Sequence, residues 1–263
     1  MGMDAMEPKG SVGFFEAGRL KVGGQSAMPF LDSGVPALGM ELSAAEAVEQ
    51  AARFEKDGAD FIVFIADHPD AAETLRKIFE RVDVPVIALA NDETNAMKEC
   101  AKAGFDAGRK LILGSAKEEN YKSMAALSMA YGHGLLAQTP MDLNLAKQLN
   151  ILLEETGVQK CNIIIDPLSS ALGYGIEYTY STMERIRLNA LEGDEVMQRP
   201  MIGFASNAWE TREVIEQPAL GPNWETATAV AMLLAGCDMV AVRSAEAFNA
   251  VKDFIERMTE GKC

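Results

Sequence analysis

Short apolar segments alternate with amphipathic segments along nearly the whole chain. The apolar segments are rich in Ile, Val, Leu and Phe and show no polar alternation, which is typical of parallel strands covered on both faces. Eight strands are predicted in this way: Ala37–Leu42, Asp60–Ala66, Val84–Ala90, Lys110–Leu113, Leu135–Thr139, Asn162–Asp166, Pro200–Phe204 and Met239–Val242. The segments between them are expected to form helices that cover the sheet.

Residues that favour helix starts and helix ends border most of the amphipathic segments. The predicted helices are Ala44–Lys56, Ala71–Arg81, Glu93–Ala103, Lys117–Tyr131, Met141–Glu155, Tyr174–Leu191, Ala208–Ile215, Trp224–Ala235 and Ala245–Met258. The predicted N-caps are Ser43, Asp70, Asp92, Ser115 and Ser244. A glycine is expected just past the end of several helices, where a left-handed residue is favoured: Gly58, Gly104, Gly132, Gly157, Gly193 and Gly236.

Strict alternation of eight strands with helices over 263 residues predicts an α/β protein with a (β/α)8 TIM-barrel fold. A doubly wound open sheet is the alternative, because alternation alone does not show that the sheet closes. No linker-like stretch divides the chain, so a single domain is expected. We assign residues 1–22 to an N-terminal extension and residues 23–263 to the barrel domain.

The charge balance narrows the possible functions. The chain has 24 Lys and Arg against 39 Asp and Glu, a formal net charge of −15, which disfavours nucleic acid as a partner. Neither a membrane-spanning apolar run nor the apolar core of a signal peptide is found, so a cytoplasmic protein is expected. The four cysteines are scattered singly, and no metal site is predicted.

Functional side chains of a barrel enzyme lie at the carboxyl ends of its strands. Those positions hold Glu41, Asp67, His68, Asn91, Asp92, Ser115, Gln138, Asp166, Ser206, Asn207 and Arg243, with Asp142 and Asn144 shortly after the fifth strand. Such a polar, mildly acidic rim suits a neutral, amide-rich ligand better than a phosphate. Helix capping alone accounts for Asp92 and Ser115, and Asp166 is equally consistent with a structural role.

Common catalytic motifs are missing from the sequence. It contains no Gly-x-Ser-x-Gly elbow, no His-Glu-x-x-His pair and no phosphate loop. His133 lies in a helix-to-strand turn, at the end of a barrel opposite the active face, and a structural role is favoured. The sequence therefore shows no obvious acid–base dyad of an enzyme and leaves enzymatic activity undecided.

The segment from Asp166 to Arg187 concentrates glycines, serines and tyrosines. Three of the five tyrosines, at positions 174, 178 and 180, fall within seven residues. Exposed tyrosines at the start of a helix are good contact residues for a partner, although packing against the barrel is an equally good explanation for Tyr178 and Tyr180.

This segment resembles the delta, or small, subunit of the corrinoid/iron–sulfur protein of the CO dehydrogenase/acetyl-CoA synthase system. The most recognisable segment is Asp166–Leu191, with the core Leu-Gly-Tyr-Gly-Ile-Glu-Tyr-Thr-Tyr-Ser-Thr-Met-Glu-Arg-Ile-Arg at Leu172–Arg187. Further similar motifs follow in the same order: Gly23-Gly24 before Pro29-Phe30, Tyr131-Gly132-His133, Asp142–Asn150, and Trp224-Glu225 before Leu234–Gly236. The likeness extends over roughly residues 23–250 and is strongest over residues 120–200.

The resemblance implies a barrel-shaped, mainly architectural subunit that pairs with a larger corrinoid/iron–sulfur subunit or another corrinoid protein. A methyl group passes from a methylated pterin, through a methyltransferase, towards acetyl-CoA synthase, so these two enzymes are further possible partners. The corrinoid is expected to be carried mainly by the partner and to face the barrel. The residues expected to face the corrinoid are Asn91, Asp142, Asn144, Asp166, Ser169 and Asn207, and those expected to face the partner are Tyr174, Glu177 and Trp209.

The sequence departs from the family pattern in two places. The region before Gly23 is short, and the segment between Trp209 and Trp224 lacks the longer charged loop that the family leads us to expect. The alternative function is a stand-alone methyltetrahydrofolate:corrinoid methyltransferase, with Asn91, Asp166 and Asn207 binding the pterin. An unrelated aldolase or isomerase is disfavoured, because no lysine lies inside a predicted strand in a position to form a Schiff base.

Overall fold

Eight parallel strands form the centre of the structure, a computed structural model that describes residues 13–23, 34–43, 45–90 and 94–260. An antiparallel hairpin of β1 (Phe15–Ala17) and β2 (Leu20–Val22) precedes them. The parallel strands are β3 (Ala37–Glu41), β4 (Phe61–Ile65), β5 (Val86–Leu89), β6 (Ile112–Ala116), β7 (Gly134–Gln138), β8 (Ile163–Asp166), β9 (Ile202–Phe204) and β10 (Met239–Val242).

The parallel strands close into a barrel. Their order is β8-β7-β6-β5-β4-β3-β10-β9, so that the first strand, β3, pairs with the last, β10. A parallel bridge between Ile165 and Met201 joins the two ends, β8 and β9. The prediction of a (β/α)8 barrel is therefore confirmed, and the open-sheet alternative is wrong.

Helices surround the barrel in the order that the sequence predicts. They are α1 (Ala47–Asp57), α2 (Ala71–Phe79), α3 (Thr94–Asp106), α4 (Tyr121–Tyr131), α5 (Leu143–Thr156), α6 (Ile176–Leu191), α7 (Arg212–Glu216), α8 (Gly221–Leu234) and α9 (Ala245–Glu260). Short 3-10 segments occur at Lys160–Asn162, Ser206–Glu210 and Pro218–Leu220. None of the helices in the described part of the chain is long and apolar enough to cross a bilayer.

Several local predictions about helix ends are wrong. Helix α1 begins after Glu46 rather than at Ser43, whose backbone N–H donates instead to the side chain of Gln50. Ser115 lies inside β6, and the N-cap of α4 is Asn120. Gly104 lies within α3, where the side chain of Leu111 packs so closely that a Cβ would approach it to 2.8 Å.

Other helix ends agree with the sequence. Ser244 caps α9 by accepting a hydrogen bond from the backbone N–H of Ala247 at 3.2 Å. Gly58, Gly132 and Gly157 end α1, α4 and α5 in the left-handed conformation. The segment predicted as one helix, Ala208–Ile215, is divided into a 3-10 turn and the short α7. The predicted cap Asp92 lies outside the described residues.

Two apolar cores hold the fold together. The larger core lies between the strands and the surrounding helices. The smaller core fills the barrel, where side chains such as Phe61, Ile87, Ile112 and Leu136 are completely buried. The ring of Phe61 occupies the space beside Gly39, where a Cβ would come within 2.2 Å of it.

The β1–β2 hairpin contributes to the smaller core. Phe15, Ala17, Leu20 and Val22 are buried in the same cluster as the barrel interior. The ring of Phe15 packs against Gly134, the first residue of β7. Because β7 begins at this end, the hairpin covers the amino-terminal opening of the barrel and leaves the carboxyl end for function. The boundary proposed between residues 22 and 23 follows the hairpin directly and stays a prediction.

Candidate functional site

Five residues at the carboxyl ends of β7, β8 and β9 form two hydrogen-bonded groups, which we together call the polar arc: Gln138, Thr139 and Asp166 in one group, and Ser169 and Asn207 in the other. The Gln138 side chain donates to Asp166 Oδ2 at 2.7 Å, and the Thr139 backbone N–H donates to the Asp166 carbonyl at 3.0 Å. The side chain of Asn207 donates to the Ser169 carbonyl, and Ser169 Oγ donates to the Phe204 carbonyl at 2.8 Å. Of the predicted corrinoid-facing residues, the structure thus brings Ser169 and Asn207 into contact, and it places Asp166 in the other group, at the end of β8.

Asp166 is the ionisable member of the polar arc. It is almost completely buried, and burial raises the pKa of its carboxyl group to about 6. Hydrogen bonds from Gln138 and from the Leu168 backbone, together with the charge of Lys117, oppose this shift. At neutral pH Asp166 is therefore a carboxylate whose pKa lies close to the pH of the solution. Its two oxygens accept hydrogen bonds from the Gln138 side chain and the Leu168 backbone N–H.

Three polar atoms near the carboxyl ends of the strands are buried without a hydrogen-bond partner among the described residues. They are Thr139 Oγ1, Asn207 Oδ1 and His68 Nε2. A buried polar atom that makes no hydrogen bond costs free energy, and such atoms often lie where a ligand completes the bond. Thr139 and Asn207 belong to the polar arc, whereas His68 follows β4, on another part of the barrel rim.

A second polar network surrounds Glu225, which is completely buried in α8. Its carboxylate accepts hydrogen bonds from Trp209 Nε1 at 3.0 Å, from Ser244 Oγ at 2.7 Å and from the backbone N–H of Arg243. These bonds tie α8 to the segments that follow β9 and β10. Nearby, buried Glu41 accepts a hydrogen bond from Ser206 Oγ, and its second oxygen lies 3.6 Å from Arg243 Nη2.

Burial raises the pKa of Glu41, against the opposing effects of Ser206 and Arg243. The carboxylates of Glu225 and Glu41 are thus both bound by donors of the protein itself. Among the described residues, no group of three His, Cys, Asp or Glu side chains is placed to hold a metal ion.

The remaining corrinoid-facing predictions fall outside the polar arc. Asp142 is the N-cap of α5, and its Oδ1 accepts from the backbone N–H groups of Asn144 at 2.8 Å and Leu145 at 3.0 Å. The side chain of Asn144 is exposed on the first turn of α5. Asn91 lies outside the described residues.

The three residues predicted to face a partner differ in their surroundings. Tyr174 is exposed, and its hydroxyl donates to Glu213 Oε2 at 2.9 Å while accepting from the Arg212 backbone at 3.1 Å. Glu177 is exposed on the first turn of α6. Trp209 is half-buried, and its ring packs against Gly221, where a Cβ would come within 2.4 Å.

His133 has the structural role that the sequence favours. The imidazole is buried, with Nδ1 accepting from the Leu111 backbone N–H at 3.2 Å and Nε2 donating to the Ala101 carbonyl at 2.7 Å. This pair of bonds fixes a neutral tautomer, and burial lowers the pKa of the ring.

Sequence reasoning missed the importance of Glu225 and Thr139. Glu225 is the one charged residue in the largely apolar helix α8, which is a usable signal for a buried, hydrogen-bonded acid. Thr139 has no comparable signal, because a threonine directly after a strand is common.

Comparison with known proteins identifies related sequences and folds. Residues 44–255 match the family model of the CO dehydrogenase/acetyl-CoA synthase delta subunit. The chain is 34% identical over 203 residues to an acetyl-CoA decarbonylase/synthase complex subunit delta of Methanopyrus kandleri, covering 73% of this chain and 51% of that protein. It is 32% identical over 270 residues to subunit delta 1 of Methanosarcina thermophila, covering 84% and 62%.

The chain thus spans between half and two thirds of the length of these relatives. Solved dihydropteroate synthases have a similar fold. That of Thermus thermophilus in complex with 4-aminobenzoate gives a TM-score of 0.65 at 15% identity, covering 96% of this chain and all of that one. That of Burkholderia cenocepacia gives 0.67 at 13% identity, covering 96% and 98%. At this identity the likeness shows the barrel fold alone.

Proposed function

Because the chain belongs to the family of the CO dehydrogenase/acetyl-CoA synthase delta subunit, we propose that it is an architectural partner subunit in corrinoid-dependent methyl transfer. Its partner is the large corrinoid/iron–sulfur subunit of the same system. The corrinoid, which carries the methyl group, is bound mainly by that partner and faces the carboxyl end of this barrel. The stand-alone methyltransferase is the less favoured function, since the relatives named above are subunits of a complex.

The observation that carries the proposal is the unpartnered Asn207 Oδ1 in the polar arc. A corrinoid ring is bordered by amide side chains, whose N–H groups would supply the donor that this oxygen lacks. The other groups of the polar arc are amides, hydroxyls and one carboxylate close to its protonation point. Such groups recognise a neutral, amide-rich ligand by hydrogen bonds rather than by charge.

The surface next to the polar arc supports a protein partner there. Tyr174, Tyr178 and Ile215 are all exposed, with Tyr178 at 67% and Ile215 at 66%. Tyr174 is fixed by Glu213 and by the Arg212 backbone, so that binding would cost little of its conformational freedom. Clustered exposed aromatic and aliphatic side chains are typical of protein interfaces.

The test is reconstitution with the large corrinoid/iron–sulfur subunit of the same host under anaerobic conditions. Wild-type chain should form a one-to-one complex by analytical ultracentrifugation, with the absorption spectrum of a corrinoid. Tyr174→Ala and Glu177→Ala should weaken the complex about tenfold or more, as loss of an interface contact does. Phe105→Ala is the matched control, because Phe105 is 57% exposed near the end of α3, on the opposite face of the barrel.

Asn207→Ala separates corrinoid contact from subunit contact. It should leave the affinity of the two subunits unchanged and alter the corrinoid spectrum or the rate of methyl transfer in the complex. A wild-type chain that does not associate with the large subunit would contradict the proposal, as would equal effects of the interface variants and Phe105→Ala.

A further inference from the structure

A cavity of about 350 Å3 lies beside the polar arc, between the segment that enters α4, the first turns of α5 and the ends of β7 and β8. Its size is within the range of small-molecule sites, roughly 300–1,000 Å3. Gln138 and Thr139, which belong to the polar arc, also line the cavity. The family resemblance and the proposed function assign nothing to the remaining walls.

One wall of the cavity is an apolar face of α5. Leu145, Leu149 and Leu152 line it at positions i, i+4 and i+7 of the helix, which share one face. Leu149 is buried and Leu145 is 39% exposed, so the leucines extend from the floor of the cavity to its rim. In a helix that covers a barrel, this face would ordinarily be buried against neighbouring elements; here part of it is open to a ligand.

Leu168 forms another part of the apolar wall in an unfavourable conformation. Its φ is 53°, and among the described residues it is the one non-glycine residue with a positive φ. The backbone N–H of Leu168 is held by Asp166 Oδ1 at 3.0 Å, while its side chain is 41% exposed at the cavity. Strained backbone of this kind concentrates at ligand sites, because surrounding contacts must compensate for it.

Thr139 gives the cavity a hydrogen-bonding group without a partner. The residue is 6% exposed, and its Oγ1 finds no hydrogen-bond partner in the described part of the chain. A threonine hydroxyl can donate one hydrogen bond and accept others. A ligand oxygen in the cavity would satisfy this group.

Lys117 supplies the charge. Its side chain lines the cavity and is half-buried. It makes no ion pair within 4.0 Å with a carboxylate of the described residues, although its charge acts to lower the pKa of Asp166. The neighbouring Glu118 and Glu119 also line the cavity but are exposed to solvent. Lys117 shares the cavity wall with the leucines of α5, and beside such apolar surface an anion would interact with its charge more strongly than in water.

We propose that this cavity binds a small organic monocarboxylate with an apolar body. The carboxylate accepts hydrogen bonds from Lys117 and Thr139, and the apolar body lies on Leu145, Leu149 and Leu152. This site goes beyond the proposed subunit role, and it is present in the chain without its partner.

The test is calorimetric titration of the purified chain, without corrinoid or partner, with straight-chain and phenyl-substituted monocarboxylates and with their amides. Carboxylates should bind in the millimolar range or tighter, and each should bind at least tenfold more tightly than its amide. Lys117→Met should weaken carboxylate binding about tenfold and remove the preference over the amide. Lys122→Met is the matched control, since Lys122 is exposed on the first turn of α4 and is not part of the cavity wall.

Thr139→Val tests the hydroxyl separately from folding. Valine has nearly the same shape and removes an unpartnered polar atom, so the melting temperature of the variant should not fall. The affinity for carboxylates should nevertheless drop about tenfold. Absence of millimolar binding by every carboxylate, equal binding of acids and amides, or unchanged affinity in both Lys117→Met and Thr139→Val would each overturn the proposal.

Discussion

Asp166 combines two roles at the scale of a single residue. It fixes the chain after β8 by accepting from the Leu168 backbone, and it joins β8 to β7 by accepting from Gln138. Burial nevertheless penalises its charged form and raises the pKa to about 6. At neutral pH the folded protein therefore holds Asp166 as a carboxylate, although burial makes the charged form less stable than it would be in water.

This penalty predicts how Asp166→Asn changes stability with pH. The pKa of Asp166 rises from its ordinary value of 3.8 to about 6 in the fold, so the folded state binds the proton more tightly and wild-type stability falls as pH rises between these values. The amide cannot ionise, and rotation of the Gln138 side chain restores its hydrogen bond. Asp166→Asn should therefore increase the free energy of unfolding by roughly 2–3 kcal/mol more at pH 8 than at pH 4.

The measurement is urea denaturation of wild type and variant at both pH values. An equal difference between the two proteins at pH 4 and pH 8 would show that ionisation of Asp166 carries no penalty. If Asp166→Asn had a lower free energy of unfolding than wild type at both pH 4 and pH 8, the main role of Asp166 would be to accept its hydrogen bonds.

At the scale of the element, the start of α5 shows that a helix-capping residue and a ligand-binding residue can occupy the same kind of position in the sequence, directly after a strand. Asp142 follows β7 where ligand-binding residues of barrels often lie, yet its carboxylate is directed to its own helix and satisfies two backbone N–H groups. The same helix places its leucines at the cavity. The start of α5 therefore positions a ligand wall without requiring Asp142 to touch a ligand.

Replacing Asp142 separates the two roles. Asp142→Ala should lower the free energy of unfolding by about 1 kcal/mol, because the first turn of α5 loses its acceptor. Asp142→Ser should recover most of this loss, since serine also caps helices, while Asn144→Ala should change stability by less than about 0.5 kcal/mol. Chemical denaturation of the three variants checks the order; a Ser variant as unstable as the Ala variant would contradict the capping role.

At the scale of the whole molecule, the barrel is closed at one end by its own chain. The β1–β2 hairpin buries four apolar side chains in the core that fills the barrel. Without them, the ends of β3–β10 on that side would expose this core to water. The hairpin therefore stabilises the barrel at the end away from the polar arc.

Two adjacent phenylalanines test this closure. Phe15 is completely buried and Phe14 is 50% exposed, with Lys21 Nζ 4.5 Å from the centre of the Phe14 ring. Phe15→Ala should lower the free energy of unfolding by about 3–5 kcal/mol, the usual cost of emptying a core site. Phe14→Ala should cost less than about 1 kcal/mol. Urea denaturation compares them, and similar losses for both would mean that the hairpin does not close the barrel.

The sequence by itself determined the type and order of the barrel elements. Strands buried on both faces must be apolar throughout, and the helices that cover them must show a 3.6-residue period, so both patterns are local and readable. The eight predicted strands all occur, with ends shifted by at most three residues, as at Lys110–Leu113 against Ile112–Ala116. The role of Asp166, Ser169 and Asn207 in facing a corrinoid, expected because they end or follow strands, stays a prediction.

Only the tertiary structure decided which polar groups meet. Glu41 and Ser206 are 165 positions apart, and their contact depends on closure of the barrel between β3, β10 and β9. The burial of Glu225, the unpartnered hydroxyl of Thr139 and the cavity beside it depend likewise on how helices pack on the strands. Strand register and helix packing set these distances, and both arise from contacts between distant parts of the chain rather than from any local pattern.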